Sequence, residues 1–307
     1  MYKKLKIITI AGTRPELIRL SQIIKKFNIN FDHKLIYTGQ NFSAELSKNF
    51  FENFNIKPDI NFNINNKNPI EAISQILVET NKIFKIIKPE CLFILGDTNS
   101  ALSCLVAKKM QIPIFHFEAG NRCFDQRVPE EINRKIIDSI SDINLTYSEN
   151  AKMNLIKENF EIDTIFKIGS PLREVFDKNI KKINKSKILR KIKVKKRNYI
   201  LVSLHREENL DNEVRLNSFV KSLNFIAEKT KLKIVVSLHP RTKERIKLKK
   251  FKKNIQFFKA FDFFDYNFLQ KNSLIVLSDS GSISEESYIL KFPAINLRDT
   301  HERHEAM

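Results

Sequence analysis

Glycine is scarce in this chain: six residues in 307, about 2% against an average of roughly 7%. Where it is so rare, each one serves a backbone need, either positive φ or the close approach of another group. Gly12, Gly39, Gly96, Gly120, Gly169 and Gly281 all fall at or just beyond the end of a predicted strand, which marks one working edge per sheet. Only Gly169 reads as an ordinary turn. Cysteine is nearly missing too. Cys91, Cys104 and Cys123 are odd in number and lack CxxC spacing, which excludes a disulfide framework or a zinc knuckle and suits a reducing cytoplasm. No apolar stretch approaches the roughly 20 residues that cross a bilayer, so no membrane partner is expected. The opening MYKKLKIITIAGTRPE imitates a signal peptide, but its apolar part is short and runs into Arg14 and Glu16; it reads as a first strand. GxxxxGK[ST], GxGxxG and HExxH are all absent, and HERHE at 301–305 spaces its histidines three apart in a polar tail. No metal and no cofactor are expected.

Acids are outnumbered, 35 against 54 Lys and Arg, for a formal charge of +19. Such an excess raises nucleic acid as a partner, but its distribution argues against one. Residues 181–197 hold ten basic residues and no acid, and 243–253 hold seven with one acid. These two stretches read as a solvated linker and a solvated helix face.

What the chain has is a regular alternation. Short β-branched runs at 5–11, 33–38, 91–96, 112–118, 143–147 and 164–169 alternate with segments of helical period, such as 15–27 and 69–87. A second series follows at 199–204, 232–238, 254–258, 274–278 and 294–298. Apolar strands separated by helices mean parallel sheets covered on both faces. The expected fold is α/β, with two doubly wound parallel-sheet domains facing a cleft. The expected boundaries are residues 1–175, a basic linker at 176–198, and 199–307. Ligands in such folds sit outside the carboxyl ends of the strands.

Those ends carry the chemistry. GTRPE at 12–16 opens a helix with Pro15 in its first turn, where free N–H groups and Arg14 suit a phosphate. SDSGSISEES at 278–287 is the counterpart in the second half. Ser282 and Glu285 read as a capping box, Gly281 permits close approach, Ser280 and Ser282 offer hydroxyls, and Glu286 can take a ribose diol. Asp97 in GDTNS and Glu118 in HFEAG end neighbouring strands; Glu130 follows Pro129 with Arg134 one turn on. Three carboxylates on one rim have pKa values pushed apart, as acid–base pairs require. His205 and His239 end strands of the second sheet.

In order along the chain, GTRPE, TGQN, GDTNS, HFEAGNR, VPEEINR, SLHREEN, SLHPR, SDSGSISEES and LRDTHERHE resemble the non-hydrolysing UDP-N-acetylglucosamine 2-epimerases. The resemblance implies two Rossmann-like domains in a glycosyltransferase-B-like arrangement, with a UDP-sugar bound and a homodimer. It implies C2 inversion by elimination of UDP to a bound glycal and re-addition. Asp97, Glu118 and Glu130 would be the acid–base set, with Arg134 and His205 beside them. Arg14, Arg19, Ser280, Gly281, Ser282 and Glu286 would hold the nucleotide sugar. Gln40, Arg206 and His239 match a second, regulatory site of some relatives, although the usual TGQH reads TGQN here. EAGNRCFDQRVPEE and Arg19, where many members have lysine, resemble the branch that makes UDP-N-acetyl-L-fucosamine from its L-talo epimer; UDP-N-acetylglucosamine is the alternative substrate. A glycosyltransferase and a basic nucleic-acid-binding protein are the competing readings. His304 stands where relatives have proline. Relatives also continue for tens of residues beyond the position of Met307, with a helix returning across the first domain, so the second domain is expected to be truncated.

Overall fold

The computed structural model describes residues 3–39, 51–64, 68–204, 212–238, 246, 249–298 and 302. Gln40, His205, Arg206, His239 and most of the HERHE segment lie outside them. The chain divides into two compact units after Val175, and Glu302 groups with the first.

In the first unit the strands are β1 (Lys6–Ala11), β2 (Asp32–Tyr37), β3 (Ile60–Asn61), β4 (Cys91–Leu95), β5 (Ile114–Ala119), β6 (Ile143–Thr146) and β7 (Ile165–Lys167). They form one sheet in the order β3-β2-β1-β4-β5-β6-β7, and every pairing is parallel. Helices α1 (Arg14–Asn30), α2 (Pro69–Ile87), α3 (Cys104–Lys109), α4 (Pro129–Ile140) and α5 (Glu149–Lys157) alternate with the strands. The central strands are apolar throughout because both faces are covered. Ile8, Ile10, Ile36, Leu92, Ile94 and Ile114 are fully buried, each stabilising by about 1.5–3 kcal/mol relative to exposure. Helix α2 starts where the Asn68 side chain accepts the Ile70 N–H at 2.9 Å, and it stops at Lys88 in the left-handed region. The two-residue edge strand β3 has no counterpart in the sequence reading, since so short a run carries no periodicity.

The second unit holds β8 (Tyr199–Leu204), β9 (Lys233–Leu238), β10 (Ile255–Lys259), β11 (Ile275–Ser278) and β12 (Ala294–Asn296), ordered β10-β9-β8-β11-β12 and all parallel. Around it lie α8 (Glu213–Thr230), α9 (Phe263–Asn272) and α10 (Ile283–Leu290), and Leu223 and Ala227 of α8 pack on Ile200, Val202, Ile234 and Val236. The lysine-rich stretch expected as a solvated linker is partly helical: the end of α6 (Leu172–Asn184) and α7 (Ile188–Lys191) run through it and bury Ile183 and Ile188, while its basic residues stay exposed. Apolar residues at helical spacing among the lysines outweigh the charge of the run. Among the described residues no helix is long and apolar enough to cross a membrane.

Strand order reverses between β1 and β4 in the first sheet, and between β8 and β11 in the second. A crevice opens at such a switch, outside the carboxyl ends of the strands. The first switch brings Gly12–Arg14 beside Gly96–Asp97; the second has Ser278–Ser282 on one side.

Candidate active site

At the first switch, Gly12 has room for no side chain: a Cβ there would collide with the hydroxyls of Ser100 and Thr38, which bond each other at 2.8 Å. Helix α1 begins here with Pro15 in its first turn, as the sequence implies. The N–H groups of the turn leading into it are already engaged, however. The Glu16 carboxylate turns back and accepts from Gly12 N at 3.1 Å and Thr13 N at 2.7 Å, while its other oxygen accepts from the Thr98 hydroxyl at 3.0 Å. Glu16 thus fastens the GTRPE turn to the GDTNS turn. Burial raises its pKa to about 7, against the opposing effect of those donors. Arg14 stands half-buried in the same first turn.

Asp97 follows β4. Arg134, on the second turn of α4, donates to Asp97 Oδ2 at 2.7 Å and to Glu131 Oε2 at 2.8 Å. Asn133 donates to the Asp97 carbonyl at 2.8 Å. Burial raises the Asp97 pKa; Arg134 opposes that rise, and the negative charges of Glu118, Glu130 and Glu302 add to it. Arg134 stays protonated despite its burial, because Asp97, Glu302 and Glu131 surround it. Asp97, Glu118, Glu130 and Arg134 therefore form one electrostatic cluster, with Glu302 as a member the motif reading missed.

Glu118 occupies a β-bulge. The pairing of β5 with β6 slips between Phe117 and Ala119, and Glu118 is the extra residue, at φ 74°. A non-glycine residue in that left-handed region costs about 1–2 kcal/mol, so the surroundings must hold it there. Arg19 of α1 lies 3.8 Å from the Glu118 carboxylate and also donates to the Ser170 hydroxyl at 3.3 Å. Asn121 donates to the other Glu118 oxygen at 3.3 Å. Gly120, at φ 77°, carries the chain out of the bulge, and a side chain there would strike the Ala151 carbonyl. Glu130 sits half-buried in the first turn of α4.

The charge crowded into residues 118–134 thus sorts into separate groups. Arg127 and Asp125 pair locally, Arg134 joins Asp97 to Glu131, and the fully buried Arg122 joins Asp138 to Glu158. Glu131, Asp138 and Glu16 were given no site role from the sequence. For Glu16, the reciprocal cap at the start of α1 was the available signal.

In the second unit the Ser282–Glu285 capping box does not form. Ser282 takes helical backbone angles, and its hydroxyl donates to Glu286 Oε1 at 2.7 Å and lies 3.0 Å from the Ser280 hydroxyl. Gln270 donates to the second Glu286 oxygen at 2.6 Å. Glu286, one turn farther into α10, is a charged acceptor for the hydroxyl and outcompetes the expected cap. Gly281 lies in the turn between β11 and α10. Ser280, Ser282 and Glu286 form a single hydroxyl–carboxylate chain at the end of β11.

A family model described as UDP-N-acetylglucosamine 2-epimerase matches residues 24–307. The UDP-N-acetylglucosamine 2-epimerase of Methanocaldococcus jannaschii is 38% identical, over 99% of this chain and 86% of that one. Its crystal structure in complex with UDP-GlcNAc and UDP superposes with a TM-score of 0.91, covering 98% and 86% of the two chains. The structure of the Rickettsia bellii UDP-N-acetylglucosamine 2-epimerase gives 0.92 at 43% identity, covering 98% and 81%. The UDP-2,3-diacetamido-2,3-dideoxy-D-glucuronate 2-epimerase of Pseudomonas aeruginosa is 34% identical over 97% and 84%. Phytolacca americana UGT2, at 12% identity and a TM-score of 0.59 over 100% and 83%, shares the fold alone, a two-domain glycosyltransferase-B-like plan.

Proposed function

Because the chain belongs to the UDP-N-acetylglucosamine 2-epimerase family, we propose that it inverts C2 of a UDP-2-acetamido sugar by eliminating UDP and adding it back. The C2 proton of such a sugar is weakly acidic, and direct deprotonation is slow. Breaking the C1–O bond as the proton leaves C2 gives a glycal and UDP; reversal with the proton delivered to the other face gives the epimer. This needs acid–base groups on both faces and cations against the departing diphosphate.

The observation that carries the reading is the cluster at the edge of the first sheet, where Asp97, Glu118 and Glu130 share one electrostatic environment with Arg134. Asp97, its pKa raised by burial and by its acidic neighbours, is suited to hold a proton. Glu118, braced by Arg19 and Asn121, is suited to accept one. Glu130 completes the set. Arg14 and Arg134 stabilise the diphosphate, Ser280, Gly281, Ser282 and Glu286 hold UDP, and His205 positions the sugar.

For the substrate, we propose the L-talo epimer of UDP-N-acetyl-L-fucosamine, for surface polysaccharide synthesis. The EAGNRCFDQRVPEE segment and Arg19, which resemble that branch, support this. UDP-N-acetylglucosamine is the second candidate, and the P. aeruginosa relative is named for yet another sugar.

Incubation with each UDP-2-acetamido sugar in D2O, followed by NMR, tests both levels. Deuterium at C2 with UDP retained is the expected result, faster with the L-talo substrate than with the gluco one. Sugar transfer to an acceptor without C2 exchange, or no exchange with any of them, overturns the epimerase reading.

A further inference from the structure

Beneath the acid cluster lies a second set of charges that the reaction does not use. His116, on β5 two residues before Glu118, is 1% exposed, and Asp138 of α4 is fully buried. The His116 Nδ1 lies 2.7 Å from Asp138 Oδ1, and its Nε2 lies 2.9 Å from the Gly96 carbonyl oxygen. Asp138 Oδ2 accepts from Arg122 at 2.7 Å, and both Asp138 oxygens lie 3.3 Å from the Gly120 N–H. Arg122 donates to the Asn121 carbonyl at 2.8 Å and, through Nε and Nη2, to Glu158 at 2.8 and 2.6 Å. Finally, the Gly96 N–H donates to the Phe117 carbonyl at 2.9 Å.

Two features stand out in this arrangement. Both partners of the imidazole are oxygens without a hydrogen to give: a carbonyl, and a carboxylate whose pKa is held down, against its burial, by the contact with His116 and by Arg122. A neutral ring would turn a lone pair onto one of them at under about 3 Å in a dry site, where an unsatisfied contact of that kind is disfavoured. With both ring nitrogens protonated, every contact is satisfied, and His116 and Arg122 balance Asp138 and Glu158. The contacts also fall on both sides of the bulge. Phe117 and His116 hold Gly96, the residue before Asp97, by its N–H and its carbonyl. Asp138 and Arg122 hold Gly120 and Asn121, just after Glu118.

We propose that His116 is a positioning residue: a buried imidazolium that, with Asp138 and Arg122, clamps the left-handed backbone of Glu118 and ties it to the strand end carrying Asp97. The clamp acts through backbone placement and touches no substrate. Its kinetic consequence rests on the epimerase reading; its protonation state does not.

The test has two arms. In the full chain labelled with nitrogen-15, a long-range proton–nitrogen correlation spectrum at neutral pH should show both His116 ring nitrogens protonated, and Asp138→Asn should convert the ring to a neutral tautomer. In the C2 exchange assay, His116→Asn and Asp138→Asn should lower kcat about a hundredfold, the scale of a misplacement of about 1 Å, while KM stays within about twofold. One bare ring nitrogen in the unsubstituted protein overturns the proposal, as does a folded His116→Asn variant with unchanged kcat. If neither variant folds, the spectrum of the unsubstituted chain decides alone. If the unsubstituted protein shows no C2 exchange, the epimerase reading fails while the spectrum still reports on the clamp.

Discussion

At Glu16, burial and hydrogen bonding pull in opposite directions, and burial wins. Unfolded, the side chain releases its proton near 4.5; folded, near about 7. Between those values the folded chain carries the extra proton. This contribution to stability is therefore largest below the lower value, falls as pH rises through the window, and levels off above the upper one, by on the order of 3 kcal/mol. The geometry allows both states. One oxygen keeps accepting from Gly12 and Thr13, while the other exchanges roles with the Thr98 hydroxyl. Glu16→Gln, which cannot titrate, is expected to flatten the decline between pH 4.5 and 7 in urea unfolding. An unchanged slope in the variant would assign the effect elsewhere. The same residue shows what a sequence conceals. Asp97, Glu118 and Glu130 are legible because acids at predicted strand ends and after a helix-starting proline stand out locally. Pairings between distant segments do not stand out: Thr98 lies 82 positions from Glu16, and Asp138 lies 22 from His116.

Strands and helices were easier to read than their ends. Buried parallel strands are written as β-branched runs, so eleven of the twelve described strands could be placed within a residue or two from the chain alone. Cap chemistry was less legible, since the Ser282 hydroxyl chose Glu286 over the backbone of its own helix. The β5 bulge was not legible at all, because HFEAG continues the strand pattern through the residue that breaks it. It leads to a comparison between two variants at one position. Glu118→Gly and Glu118→Ala both remove the carboxylate, and each is expected to abolish C2 exchange. Glycine adopts φ 74° without the steric cost that a Cβ brings, so Glu118→Gly should unfold about 1 kcal/mol later than Glu118→Ala in denaturant titrations. Equal stability would mean that the bulge relaxes once the carboxylate is gone.

Across the whole molecule, the proposed nucleotide cradle of the second unit is open to a direct check. UDP at a hundredfold excess over its dissociation constant adds about 2.7 kcal/mol to the folded state. Thermal melts should rise by several degrees with UDP, and Glu286→Gln should shrink the rise by removing the charged acceptor of the Ser280–Ser282 chain. An identical rise in the variant would place UDP elsewhere.

The strand orders carry one more implication. Remove β6 and β7, and β3-β2-β1-β4-β5 becomes the same path as β10-β9-β8-β11-β12. In that alignment β4 corresponds to β11, and LGDTNS falls residue for residue on LSDSGS, with Asp97 against Asp279. Asp279 is wholly enclosed, whereas the Asp97 side chain keeps a quarter of its surface and meets an arginine. The two loops thus hold the same place in the same strand path and differ in what encloses the acid: one leaves it within reach of solvent beside Arg134, and the other seals it inside.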